Sequence, residues 1–316
     1  MKRFAGCLLA LAALAGGTLA EGRPAAPTQA PPVPLPLAPA IAFRPVPPLA
    51  ARTWPEVGHV LPVPAVMTAR AGVIYGLPRG ALAPAQPMRL LGQGPEIAIG
   101  RKASRLDEGH FIRLAGLAFG PDGRLYLGDG AEGLIRAATP DGQLHRVWGS
   151  PREQPFNWLV AIGVDGQGAV YALDGNPQGR VILRRLPSGR VEVVARLPGG
   201  EPGFGTLAVA RDGACFLTGG KDDTLWRVEA GKLRAVAPPH KASHPSFFLA
   251  VDAAGRVFLD GRDGGIDVWT SAGRRPVPLT GLPSPAPGWG RPSFTAVAAD
   301  GEAMYAVEAN GTIWKR

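Results

Sequence analysis

Residues 114–130 read LAGLAFGPDGRLYLGDG, an apolar run, a tight Pro-Asp-Gly turn, a second apolar run and an acidic, glycine-bounded loop. Two short apolar segments joined by an Asp-Gly turn are the signature of a β-hairpin, because glycine accepts the positive φ that such turns require. The same grammar recurs as VAIGVDGQGAVYALDG (160–175), FGTLAVARDGACFLTGG (204–220), FFLAVDAAGRVFLDG (247–261) and FTAVAADGEAMYAVEANG (294–311). The turn glycines are Gly123, Gly168, Gly213, Gly255 and Gly301, separated by 45, 45, 42 and 46 residues. A fixed period of this length marks an array of one repeated structural unit.

After each hairpin comes a loop rich in Asp, Gly and Asn. A third strand follows (LIRAA, VILRR, TLWRV, IDVWT, TIWKR), and in the first four units a second tight turn then leads to a fourth strand such as RVEVVARL. Four antiparallel strands in about 45 residues form one propeller blade. A weaker copy, PAVMTARAGVIYGL with PMRLLG and PEIAIG, precedes these and places an anchor at Gly72. The expected fold is therefore all-β: a six-bladed β-propeller of four-stranded antiparallel blades over residues 59–316. The last copy stops at its third strand, so GHVLPVP before the first blade is expected to supply the missing strand and close the ring.

The rest of the composition fits this division. Gly and Pro number 44 and 34 among 316 residues, which disfavours helical bundles. Residues 1–20, MKRFAGCLLALAALAGGTLA, carry two basic residues, an apolar run and a small-x-small end, the pattern of a secretory signal peptide. Ten prolines fall between Glu21 and Pro48. Proline lacks a backbone donor and fixes φ, so residues 21–58 read as an extended linker. Export implies a periplasmic or secreted protein with no transmembrane span after cleavage. Cys215 would be its sole remaining cysteine, read as a buried small hydrophobe. The charge of +9 falls to +7 on cleavage and is dispersed, with no more than two basic residues in a row. That distribution excludes a nucleic-acid groove, and the domain is expected to be monomeric.

The run Leu117 to Asp129, LAFGPDGRLYLGD, resembles the NHL repeat. It is also similar to the repeats of the gluconolactonase-like, senescence-marker-protein-like six-bladed propellers. The resemblance implies a propeller and, in the enzymes of that group, a divalent cation such as calcium held by Glu, Asn and Asp at the starts of the innermost strands. The corresponding positions here are Ala65, Leu114, Asn157, Phe204, Ser246 and Pro292, of which only Asn157 offers an oxygen ligand. The expectation is therefore no cofactor and no catalytic residue. The alternatives are a lactonase-like hydrolase or lyase with a divergent site, or a passive structural module.

The recurring Asp129, Asp174, Asp260 and Glu308 read as acceptors for backbone donors in their own loops. The row Trp226, Trp269 and Trp314 reads as packing between blades. Binding residues should break the repeat, and Arg113, Asn157, Trp158, His244 and Trp289 do so in or beside inter-blade connections. Those five are the candidate site, for a small ligand or an envelope protein.

Overall fold

The computed structural model describes residues 56–59, 64–78, 88–91, 114–130, 132–139, 143–149, 156–175, 180–197, 205–219, 224–237, 248–261, 265–279 and 294–316. All of them belong to one compact unit, Pro36–Arg316. Four meanders follow the repeat: β5 (Leu114–Phe119), β6 (Leu125–Asp129), β7 (Leu134–Ala138) and β8 (Leu144–Trp148); β9 (Leu159–Val164), β10 (Val170–Asp174), β11 (Arg180–Arg185) and β12 (Val191–Leu197); β13 (Thr206–Val209), β14 (Cys215–Gly219), β15 (Thr224–Glu229) and β16 (Lys232–Ala237); β17 (Leu249–Val251), β18 (Val257–Asp260), β19 (Ile266–Thr270) and β20 (Gly273–Pro276). A fifth four-stranded blade combines β21 (Phe294–Asp300), β22 (Ala303–Glu308) and β23 (Thr312–Lys315) with β1 (Glu56–His59). A three-stranded sheet comprises β2 (Pro64–Arg70), β3 (Val73–Pro78) and β4 (Met88–Leu91).

The architecture is thus an antiparallel propeller with five four-stranded blades, where six were expected. The sixth sheet has three strands among the described residues, because the segment PEIAIG expected to complete it lies outside them. β1 pairs antiparallel with β23, with Glu56 opposite Trp314 and His59 opposite Thr312. Only the last two residues of β1 belong to the GHVLPVP stretch expected to pair there. The reason is register: β23 ends at Lys315, so a strand running antiparallel to it reaches back to Glu56.

Burial explains why the strands read as they do. The second strands β6 and β10 are buried at every position, since each lies within a sheet covered on both faces. The outermost strands β8, β12 and β16 carry exposed residues, among them Arg146, Arg196 and Arg234. The hairpin glycines have φ between +61° and +86° at Gly123, Gly168, Gly213, Gly255 and Gly301, the left-handed conformation their turns demand. Six hydrophobic clusters lie between neighbouring sheets, so the core is divided into wedges and not pooled in one centre. Trp269 and Trp314 are 5% exposed and sit in two of these wedges. The Trp269 indole donates to the Val236 carbonyl of the preceding blade at 2.9 Å and lies 5.7 Å from the Phe216 ring, so this row is packing, as expected.

The first strands β2, β5, β9, β13, β17 and β21 touch in succession, and β21 also touches β2. They line a central cavity of about 460 Å³. At its hairpin end the turns are laced together. Gly166 donates to the Arg211 carbonyl at 2.9 Å and Ala253 to the Gly301 carbonyl at 3.2 Å, while Gly72 donates to the Asp300 carboxylate at 2.8 Å.

Candidate functional site

The face opposite the hairpin turns carries the ends of the second strands and the connections into the first strands. Of the five residues expected to form the site, Asn157 and Trp158 are described, while Arg113, His244 and Trp289 lie outside the described residues. Asn157 and Trp158 form the bend immediately before β9, and both are exposed. Trp158 keeps 52% of its surface in solvent, the most of any large apolar side chain among the described residues.

The bend is held from below by Asp174, the last residue of β10, which is 2% exposed. One carboxylate oxygen accepts the Trp158 amide at 2.8 Å; the other accepts the Asn157 amide at 3.2 Å. The Asn157 side-chain amide reaches that second oxygen at 3.5 Å. Gly175 then donates its amide to the Trp158 carbonyl at 2.8 Å. A Cβ on Gly175 would lie 2.8 Å from Val160 Cγ2 and 3.3 Å from Trp158 Cδ1, so glycine lets the bend lie flat against the strand end. The exposed indole is therefore displayed from a backbone with satisfied donors.

Asp129 and Glu308 occupy the equivalent position in two other blades. Asp129 is fully buried and accepts the Glu132 amide of its own loop at 3.2 Å, as expected. Glu308 accepts the Trp314 indole at 3.2 Å. Asp174 secures the incoming connection, a role beyond the expected one. Its position on the strand next to the start of β9 follows from the β9–β10 register, in which Leu159 faces Asp174 across a bulge. Beside this bend lies the ion pair of Arg136 and Glu132 at 3.0 Å, with both side chains under a tenth exposed. Gly133, in the same loop, approaches the Phe156 carbonyl, and Phe156 meets Trp148 edge-on at 4.8 Å. Sequence reading missed this support, and the signal was a lone arginine inside an otherwise apolar third strand.

The cation implied by the family resemblance finds no donor set here. Among the described residues no three His, Cys, Asp or Glu side chains converge as metal ligands, and the amide nitrogen of Asn157 faces Asp174. Cys215 is 1% exposed, and burial pushes its thiol well above the ordinary range, which suits the packing role expected of it.

Comparison with known proteins is limited to architecture. No family model matches the chain, NHL models included, and no curated protein matches it. Among solved structures, virginiamycin B lyase from Staphylococcus aureus aligns with a TM-score of 0.55 at 13% identity, over 83% of this chain and 98% of that one. The likeness is one of fold. A catalytically inactive variant of the same lyase, solved with quinupristin, aligns with a TM-score of 0.51 at 15% identity, covering 79% and 78%. A gluconolactonase from Xanthomonas campestris aligns with a TM-score of 0.43 at 17% identity, covering 64% and 71%. The two lyase structures share the fold described above for this chain.

Proposed function

We propose that the chain is an exported, monomeric propeller that binds a ligand or protein partner on the face formed by its inter-blade connections. The observation that carries this reading is Trp158. A large aromatic left half in water is costly unless something covers it, and here its backbone is fixed by a buried carboxylate. A rigid aromatic loses little conformational entropy when a partner docks, which makes it an economical anchor. Arg113, Asn157, His244 and Trp289 complete the proposed surface. In this reading β2–β4 is the sixth blade, β1 closes the ring, residues 1–20 direct export to the periplasm or beyond, and the expected linker, 21–58, tethers the propeller up to the start of β1 at Glu56.

The test is capture of partners from the cell envelope by the purified chain, compared with an Arg113/Trp158/His244 triple alanine variant of unchanged fold. Loss of the captured partner supports the reading; an unchanged set of partners overturns it. A second reading, a lyase- or lactonase-type enzyme, takes its support from the names of the structural neighbours. Metal analysis separates the two: stoichiometric calcium or zinc lost on Asn157→Ala favours the enzyme.

A further inference from the structure

The chain holds three asparagines, Asn157, Asn176 and Asn310. Asn310 alone is followed by a residue other than proline and then by a hydroxyl residue, in Asn310-Gly311-Thr312. That triplet is the acceptor sequence for N-linked oligosaccharide, and it is modified where it lies on the surface of an exported chain.

The structure places the triplet in the three-residue loop between β22, which ends at Glu308, and β23, which begins at Thr312. Gly311 donates its amide to the Glu308 carbonyl at 2.8 Å and takes a φ of +96°. This is the tight turn closed by a left-handed glycine that joins antiparallel strands through three residues. Ala309 and Asn310 stand exposed at its crest, while Gly311 and Thr312 are buried. The Asn310 Oδ1 accepts the Thr312 amide at 2.8 Å. A carboxamide is planar, so fixing its oxygen against the backbone directs Nδ2 to the other side. There it donates to no group among the described residues. Glu308, the nearest acid in sequence, accepts the Trp314 indole at 3.2 Å. The loop lies on the face that carries Trp158, in the sheet three places from that of β9 in the succession of first strands, and so across the ring from the indole. A bulky group on Asn310 would cover its own sector and leave Trp158 open.

We infer that Asn310 is an N-glycosylation site whose donor is a lipid-linked pyrophosphoryl oligosaccharide, an inference that rests on the export reading above. Nδ2 forms a bond to the anomeric carbon of the first sugar. The bond from that carbon to the pyrophosphate oxygen breaks, its electron pair leaves with the pyrophosphate, and one amide proton passes to a base of the transferase. Nothing is oxidised or reduced. The test is mass spectrometry of the peptide containing Asn310, from the full-length chain isolated from the envelope of the cells that make it. The peptide is expected to be heavier by a whole number of sugar residues. Asn310→Asp keeps an oxygen for the Thr312 amide but has no nitrogen to modify, so it should lose the increment in a chain that still folds. Thr312→Ser should retain the increment and Thr312→Ala should lose it. Unmodified Asn310 in a chain that begins at Glu21 overturns this proposal alone. Unmodified Asn310 in a chain that still begins at Met1 overturns it together with the export reading.

Discussion

The two ends of the propeller use the same residue type for different purposes. At the hairpin end, Asp165 and Asp252 each accept backbone amides from their own turns, Asp165 adds the Tyr171 hydroxyl, and the turns are linked to one another. Acceptors there serve both their own turns and those of the neighbouring blade, as the Asp300 carboxylate does for Gly72. At the opposite end Asp174 pins Asn157 and Trp158, the bend that leads into the first strand of its own blade, beneath an exposed indole. The hairpin end is laced turn to turn, whereas the opposite end fixes a bend that leaves a large aromatic side chain half in solvent.

That contrast can be broken at several points. The largest effect belongs to the wedges that both ends depend on. Phe216→Ala, at a ring 1% exposed and packed on Trp269, should cost about 3–5 kcal/mol in urea unfolding. A loss below about 1 kcal/mol would mean that adjacent blades do not rely on their interdigitated core. Next in size is Asp174→Ala, which strands the Asn157 and Trp158 amides and should cost about 1–3 kcal/mol. It should also speed hydrogen exchange across residues 156–159. An exchange pattern unchanged from wild type would show that the carboxylate is not what holds the bend.

Asp122 supplies the matching test at the hairpin end. Its carboxylate is largely exposed and accepts the Arg124 amide at 3.1 Å, so Asp122→Ala should cost about 0.5–1.5 kcal/mol, less than its counterpart at the other end. The Tyr126 hydroxyl donates to this carboxylate at 3.2 Å, and burial, reinforced by Asp122, pushes its pKa from 10.0 up to about 12. A raised pKa means that the folded state favours the protonated phenol. The resulting stability is present below pH 10 and is lost as pH climbs from 10 through about 12. Tyr126→Phe should flatten that alkaline decline in a pH series of thermal melts; an equally steep decline would place its origin elsewhere. The smallest effect on stability is expected for Trp158→Ala, within about 0.5 kcal/mol, because its exposed ring buries little. The same variant should show the largest loss of partner capture, and that pairing of outcomes separates a presented surface from a structural one.

The repeat was legible because its signals are local. The positive-φ glycines fall at the expected turn positions, and β5, β6, β9 and β10 occupy the expected apolar runs. The burial of Cys215 and the Trp269 and Trp314 packing also followed from position within a strand. Blade count and ring closure were harder, since Glu56–His59 carries no strong strand pattern and acquires its role only by pairing with β23. Of the candidate site, sequence singled out Asn157 and Trp158 as departures from the repeat, but not the carboxylate that fixes them. Asp174 looks like Asp129 in sequence, and its bonds to the Asn157 and Trp158 amides follow from the fold of the chain before β9.

What the sequence determined by itself is the unit: turn positions are set by glycine's access to positive φ, and strands by apolar runs a few residues long. What only the tertiary structure decided is which units converge. Tyr171 and Cys215 are more than forty residues apart and become neighbours in one core cluster because two sheets pack face to face. Trp158 becomes a displayed side chain because β10 ends beneath it. Such convergence depends on inter-sheet packing, which no local pattern encodes.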